Sequence, residues 1–198
     1  MNLPNKLTVS RFVLTGLFLA AIFAGFSGNE SVALVLFSAA AITDALDGRI
    51  ARQRGLITNF GILMDPLADK ILTCSAFIAF VELGQMEAWM VVVIVARELA
   101  ITGLRLLAVS RNVVLAAEGF GKHKTISQMT TIISILVLLS YEQWGLPGKW
   151  LFGWGIAGSA HPWIWWFVGL SKWASVILTL LSGGIYLWRN REVYLSDT

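Results

Sequence analysis

The chain has 198 residues, 57% of them hydrophobic and only 14% charged, with a formal net charge of +3. Soluble domains carry roughly 25% charged residues, so this composition, with a mean hydropathy of +0.72, excludes an ordinary soluble domain and points to an integral membrane protein. The mild positive balance fits basic loops against anionic lipid rather than nucleic-acid binding, and the single cysteine, Cys74, excludes an internal disulfide and reads as a packing residue.

The first residues, Met1 to Thr8, carry little positive charge and no small-residue cleavage site follows, so the first apolar run reads as a retained anchor. A spanning helix needs about 20 mainly apolar residues. Six stretches meet that need, at roughly 7–26, 32–52, 64–84, 88–109, 125–144 and 169–189. The expected fold is therefore all-α and integral to the membrane, one domain over residues 1–198 with six transmembrane helices. A short loop, 53–63, joins the second and third spans. Between the fifth and sixth lies a segment with Trp144, Trp150, Trp154, Trp163, Trp165 and Trp166 beside Pro147 and Pro162. Tryptophan favours the headgroup layer, so about 145–168 reads as an interfacial loop on the outer leaflet.

Orientation follows from the basic residues. Lys6, Arg11, Arg49, Arg52, Arg54, Arg105, Arg111, Lys122, Lys124, Arg189 and Arg191 fall on one side of the six-span arrangement; Lys149 and Lys172 fall on the other. Lys70 and Arg97 lie within spans. This bias places both termini at the cytoplasmic face of a bacterial-type inner membrane, with multiple passes.

Four aspartates, Asp44, Asp47, Asp65 and Asp69, interrupt the otherwise apolar second and third spans. Each carboxylate near a bilayer is costly, by contested estimates about 2.5 kcal/mol or more at the helix centre. Asp44 and Asp47 are three apart, Asp65 and Asp69 four apart, so on a helix each pair shares a face. All four fall at the same membrane face on consecutive helices. Their hard oxygen donors suit Mg²⁺ or Mn²⁺, which commonly bind through carboxylates together with substrate phosphates. Helix-end charge accounts for Asp65 easily, but not for Asp44 and Asp47, which approach a C-terminal helix end where the dipole disfavours anions. A cation channel would need carboxylates along a path to both faces, and no matching acidic set stands opposite. Gly48 leaves room for a ligand at the backbone, Ala51 keeps the Asp47 face low, Gly61 does the same before Asp65, and Arg52 offers a fixed cation for a diphosphate.

The pattern D-x-x-D-G-x-x-A-R, eight residues, G-x-x-x-D-x-x-x-D runs from Asp44 to Asp69 without departure. In this the chain resembles the CDP-alcohol phosphotransferase family. The resemblance implies a six-helix membrane fold, a homodimer, and transfer of a phosphate-bearing group from a CDP-linked lipid or alcohol to an acceptor hydroxyl with release of CMP. It implies that Asp44, Asp47, Asp65 and Asp69 hold one or two divalent ions, Mg²⁺ or Mn²⁺, on the diphosphate, with Asp69 also the general base. Gly48, Arg52 and Thr58 match positions that cradle the CDP moiety, Ala51 and Gly61 shape that pocket, and Asn5 and Thr8 match positions near the nucleotide. Thr8 could instead be a helix N-cap.

The flanks narrow the resemblance. The opening Asn2-Leu3-Pro4-Asn5-Lys6-Leu7-Thr8, then Arg97-Glu98-Leu99, Thr102-Gly103-Leu104-Arg105 and Gly121-Lys122-His123-Lys124-Thr125, are similar to the branch of the family that uses CDP-diacylglycerol and glycerol 3-phosphate. Inositol phosphate or serine as acceptor is the alternative. A phosphate dianion needs cations, for which Arg97, Arg105, Arg111, Lys122 and Lys124 are the candidates. Arg97 could equally be an interhelical ion pair with Glu98, Glu82 or an aspartate, and Lys122, His123 and Lys124 could be a solvated loop. Lys70 points about 100° away from Asp69 round a helix and reads as a snorkelling or ion-paired residue. The lipid tails require a groove opening sideways into the bilayer.

Overall fold

The computed structural model describes residues 3–54, 59–111, 120–155, 159–191 and 194, of which 3–8, 44–54, 59–66, 69, 109, 110 and 120 are described by backbone alone. Six long helices follow one another: α1 (Leu3–Phe23), α2 (Asn29–Arg54), α3 (Asn59–Glu82), α4 (Ala88–Ser110), α5 (Phe120–Ser140) and, after a short α6 (Gly145–Phe152), α7 (Trp163–Arg189). A 3₁₀ turn, Tyr141–Trp144, links α5 to α6. Among the described residues there is no strand beyond a lone bridge between Gly155 and Pro162. Two described helical stretches, Gly121–Phe152 and Trp163–Arg189, are long and apolar enough to cross a membrane; the apolar pieces Val9–Phe23 and Asn29–Thr43 are shorter.

The packing is apolar on the outside and, apart from one polar seam, apolar within as well. Val35, Val92, Leu99 and Leu170 are each at least 65% exposed, on helices that a soluble protein would face with charge. Phe18, Phe37, Phe77, Phe80, Ile132 and Leu136 form the core where α1, α2, α3 and α5 meet, with the Phe18 and Phe37 rings 5.7 Å apart and tilted. The seam between α5 and α7 is different. On α7, Ser171, Ser175, Thr179, Ser182 and Tyr186 are all buried, at spacings of four, four, three and four that keep one face toward the neighbouring helices. Thr131 donates to the Ser171 carbonyl at 2.9 Å, Ser134 and Ser171 hydroxyls meet at 3.2 Å, and Gln128 donates to Thr179 at 3.2 Å. Small hydroxyls let helix backbones approach and satisfy one another without water. These contacts run 128 to 179 and 134 to 171, so α5 and α7 are antiparallel.

Helix boundaries depart from the sequence expectation in several places. α3 begins at Asn59 rather than near 64, and α2 runs on to Arg54, so both flanks of the expected loop 53–63 are helical, with Gly61 tolerated in a first turn. α5 begins by Phe120, so Lys122, His123 and Lys124 lie on a helix, not in a loop. The tryptophan-rich stretch 145–168 is not a loop throughout. Gly145, at φ 66°, turns the chain from the 3₁₀ turn into α6, and Pro147 sits in the first turn of α6, where a missing N–H costs nothing. α7 starts right after Pro162, which takes an extended conformation (φ −66°, ψ 156°) and stops any helix before it. Trp163, Trp165 and Trp166 therefore belong to α7. At the other end of the chain, α1 starts at Leu3 with Pro4 in its first turn. Thr8 thus lies inside a helix, which removes the N-cap alternative.

Candidate active site

The acidic motif lies within helices, not at their ends. Asp44 and Asp47 stand in α2, which continues to Arg54; Asp65 and Asp69 stand in α3, which begins at Asn59. At about 1.5 Å rise per residue, Asp47 is about 10 Å before the end of α2 and Asp65 about 9 Å after the start of α3. Only residues 55–58 separate the two helices, so both pairs occupy similar depths near the same end of the molecule. This also weakens the helix-end explanation of Asp65, since no acidic residue lies in the first turn of α3. The side chains of the four aspartates, and of Asn5, Thr8, Gly48, Ala51, Arg52 and Gly61, lie outside the described residues, as does Thr58 altogether. Their backbones place Asn5 and Thr8 on α1, Gly48, Ala51 and Arg52 on α2, and Gly61 on α3.

A described contact registers this motif against the basic residues. Lys70, the neighbour of Asp69, donates from Nζ to Thr102 Oγ1 on α4, and Thr102 donates back to the Glu98 carbonyl at 2.7 Å. The tight connection through Gly84, at φ 66°, makes α3 and α4 an antiparallel pair. Counting from the Lys70–Thr102 contact, Asp69 and Asp65 lie about 2 and 8 Å, and Arg105 about 5 Å, toward the shared end. The backbone of Arg105 is thus level with the acidic motif.

Arg97, Glu98 and Lys124 form a charged knot one turn deeper. Lys124 on α5 pairs with Glu98 Oε1, and Arg97 Nη1 donates to the same oxygen at 3.3 Å. Arg97 Nη2 donates to Ser182 Oγ on α7 at 3.2 Å. Glu98 and Lys124 are buried, and Arg97 keeps 14% of its side-chain surface. The ion pair with Glu98 foreseen as the alternative for Arg97 is thus present, although it lies within α4 rather than between helices, and the solvated-loop alternative fails for Lys124. Gly183 makes the arrangement possible: a Cβ there would lie 2.8 Å from Arg97 Cγ. Arg97 Nε is buried without a hydrogen-bond partner among the described residues.

The other candidates are more open. Arg105 is exposed, and its Nε donates to the Tyr186 hydroxyl at 3.4 Å while its guanidinium carbon lies 5.6 Å from the centre of that ring. Lys122 and His123 are exposed on the first turn of α5, and Arg111 is half-buried just past α4. An apolar groove of about 360 Å³ between α4 and α7 is lined by Ala100, Gly103, Leu104, Leu107, Leu187 and Tyr194; Ala100 and Gly103 are exposed, so it opens outward. Ser182, Gly183 and Tyr186 were not singled out from sequence. The hydroxyl stripe of α7 was legible there, but its partners on α4 were not.

Residues 1–170 match the family model described as CDP-alcohol phosphatidyltransferase. The chain is 36% identical to a CDP-diacylglycerol–glycerol-3-phosphate 3-phosphatidyltransferase of Bacillus subtilis, over 96% of each chain. It is 31% identical to the protein of that name in Rickettsia felis, over 93% of each. With a probable phosphatidylglycerophosphate synthase of Mycobacterium tuberculosis it shares 43% identity over 70% of this chain and 68% of the relative. Family model and relatives agree with the motif on α2 and α3: the chain belongs to the CDP-alcohol phosphatidyltransferase family.

Proposed function

We propose that the chain is a membrane transferase that moves the phosphatidyl group of CDP-diacylglycerol onto a hydroxyl of glycerol 3-phosphate, giving phosphatidylglycerophosphate and CMP. The observation that carries this reading is the complete acidic motif on α2 and α3, registered by Lys70 and Thr102 against the basic residues of α4. The names of the relatives support the substrates.

The donor set is four carboxylates, two on each of two consecutive helices, and it fits a hard divalent cation. We assign Mg²⁺ or Mn²⁺ to Asp44, Asp47, Asp65 and Asp69; when bound, the ion neutralises the diphosphate and the charge that develops on CMP. Asp69 takes the proton from the acceptor hydroxyl as its oxygen attacks the phosphatidyl phosphorus and the bond to the CMP phosphate breaks. Arg52 meets the diphosphate, and Asn5, Thr8, Gly48, Ala51, Thr58 and Gly61 form the CDP pocket. Arg105, Arg111 and Lys122 meet the acceptor's phosphate, and Arg97 and Lys124 lie behind them, held by Glu98. The groove between α4 and α7 gives the acyl chains an apolar lateral path level with Arg105.

In the same reading, six helices span a bacterial-type inner membrane, both termini and the acidic end face the cytoplasm, residues 1–198 act as one domain, and two copies form a homodimer. The apolar outward faces and the one-sided distribution of lysine and arginine support it.

The test is an acceptor assay. Purified protein with radiolabelled glycerol 3-phosphate is expected to make labelled lipid only with CDP-diacylglycerol and Mg²⁺ or Mn²⁺, and none after chelation. Preference for inositol phosphate or serine in direct competition would overturn the acceptor, and full activity in excess chelator would overturn the metal.

A further inference from the structure

Tyr186 stands on α7, beyond the residues that match the family model. It is 3% exposed in a helix whose outward neighbours Ile185 and Trp188 face away. A buried tyrosine hydroxyl needs a partner, and this one finds it in the exposed guanidinium of Arg105, through Nε at 3.4 Å. The ring lies within cation–π range of the same group, at 5.6 Å. Ile101 and Leu104, four residues and one residue before Arg105 on α4, pack against Tyr186 and fix the ring.

The consequence concerns which nitrogens of Arg105 remain. A guanidinium carries five N–H donors in a planar fork. With Nε engaged, the terminal pair is left, and that pair meets a phosphate in bidentate fashion. A free arginine at the end of a membrane helix would sample many rotamers, and ordering it on binding costs affinity. Tyr186 removes that cost in advance. Because Arg105 is level with the acidic motif, its terminal nitrogens are presented at the depth where the acceptor must bind.

We propose that Tyr186 is a positioning residue for the acceptor: it holds Arg105 with the terminal nitrogens free for the phosphate monoester of the incoming alcohol. The proposal rests on the transferase reading above, and α7 thereby contributes to acceptor affinity without touching substrate.

The experiment is steady-state kinetics on purified full-length protein with CDP-diacylglycerol and glycerol 3-phosphate. Tyr186→Phe keeps the ring and removes the hydroxyl. It is expected to raise KM for glycerol 3-phosphate about three- to tenfold, with kcat and the KM for CDP-diacylglycerol unchanged. In an Arg105→Lys background, where no Nε fork exists to be held, Tyr186→Phe is expected to add less than twofold. The thermal transition of Tyr186→Phe in detergent separates positioning from folding. An unchanged glycerol 3-phosphate KM, equal changes in both KM values, or full additivity with Arg105→Lys would each overturn the proposal. Wild-type protein that makes no lipid from glycerol 3-phosphate would overturn the transferase reading itself, and with it the role assigned to Arg105.

Discussion

Asp69→Asn is expected to lower turnover by about 10²–10⁴-fold, the range that a positioned general base contributes. The substitution preserves shape and hydrogen-bonding capacity while removing the charge, so helix content and detergent-gel mobility should match wild type. The expectation has two physical roots. Asp69 lies one residue from Lys70, whose contact with Thr102 sets the register of α3 against α4. It is also four residues from Asp65 on a helix that has already run six residues before the first aspartate, so the pair shares a face well inside the helix. A residue retained only to begin a helix would sit in its first turn, and its amide would be nearly silent. Turnover of Asp69→Asn within tenfold of wild type would remove the base assignment.

The second large effect is on stability. Glu98 is 6% exposed and accepts from both Lys124 and Arg97. Breaking a buried pair from one side typically costs about 3–5 kcal/mol, because a charge is left in a low-dielectric interior. Glu98→Gln removes the carboxylate that two cations share and is expected to lower the thermal midpoint in detergent by an amount on the order of 10 °C. Replacing Glu98 and Lys124 together by methionine should recover the part of that loss that comes from Lys124, since an apolar pair is often as stable as the ion pair it replaces, while Arg97 keeps its bond to Ser182. The comparison separates scaffold from substrate binding. If the knot only joins α4, α5 and α7, the double variant regains stability and acceptor affinity together. Recovery of stability with a persistently raised KM for glycerol 3-phosphate would show that Lys124 also reaches the phosphate. A midpoint unchanged by Glu98→Gln would mean that the knot contributes little to the fold.

Much of this architecture was legible in the residues themselves. The six long helices follow from apolar run lengths, and the acidic motif stood out because carboxylates are expensive among apolar residues. What escaped was of two kinds. Helix starts at Asn59, Phe120 and Trp163 came earlier than expected, because polar first turns look like loops: Gly61 precedes Asp65, Lys122 to Lys124 read as a basic connection, and tryptophans read as an interface. In the α5 case the helix carries Lys124 to Glu98 on α4, a pairing the sequence does not announce. The other kind was pairing between distant elements. Ser182 and Tyr186 gave a regular hydroxyl spacing along α7, but nothing in the spacing says that Arg97 and Arg105 are what they meet. Gly183 is similar: its value appears only once the Arg97 side chain passes over it. Lys70 was read as a snorkelling or ion-paired residue, and its described contact with the Thr102 hydroxyl on α4 supplied the depth marker that the sequence lacked.

The central claim is that carboxylates from α2 and α3 converge on one divalent ion that also holds the pyrophosphate. Electron paramagnetic resonance of Mn²⁺, titrated into purified protein with CDP, reads that convergence without requiring turnover. Wild type is expected to bind Mn²⁺ stoichiometrically. Asp47→Asn and Asp65→Asn, one from each helix, should each weaken binding by about tenfold or more, in the range lost when a charged metal site is disturbed, and the pair together should abolish it. Undiminished Mn²⁺ binding by the double variant would contradict the account.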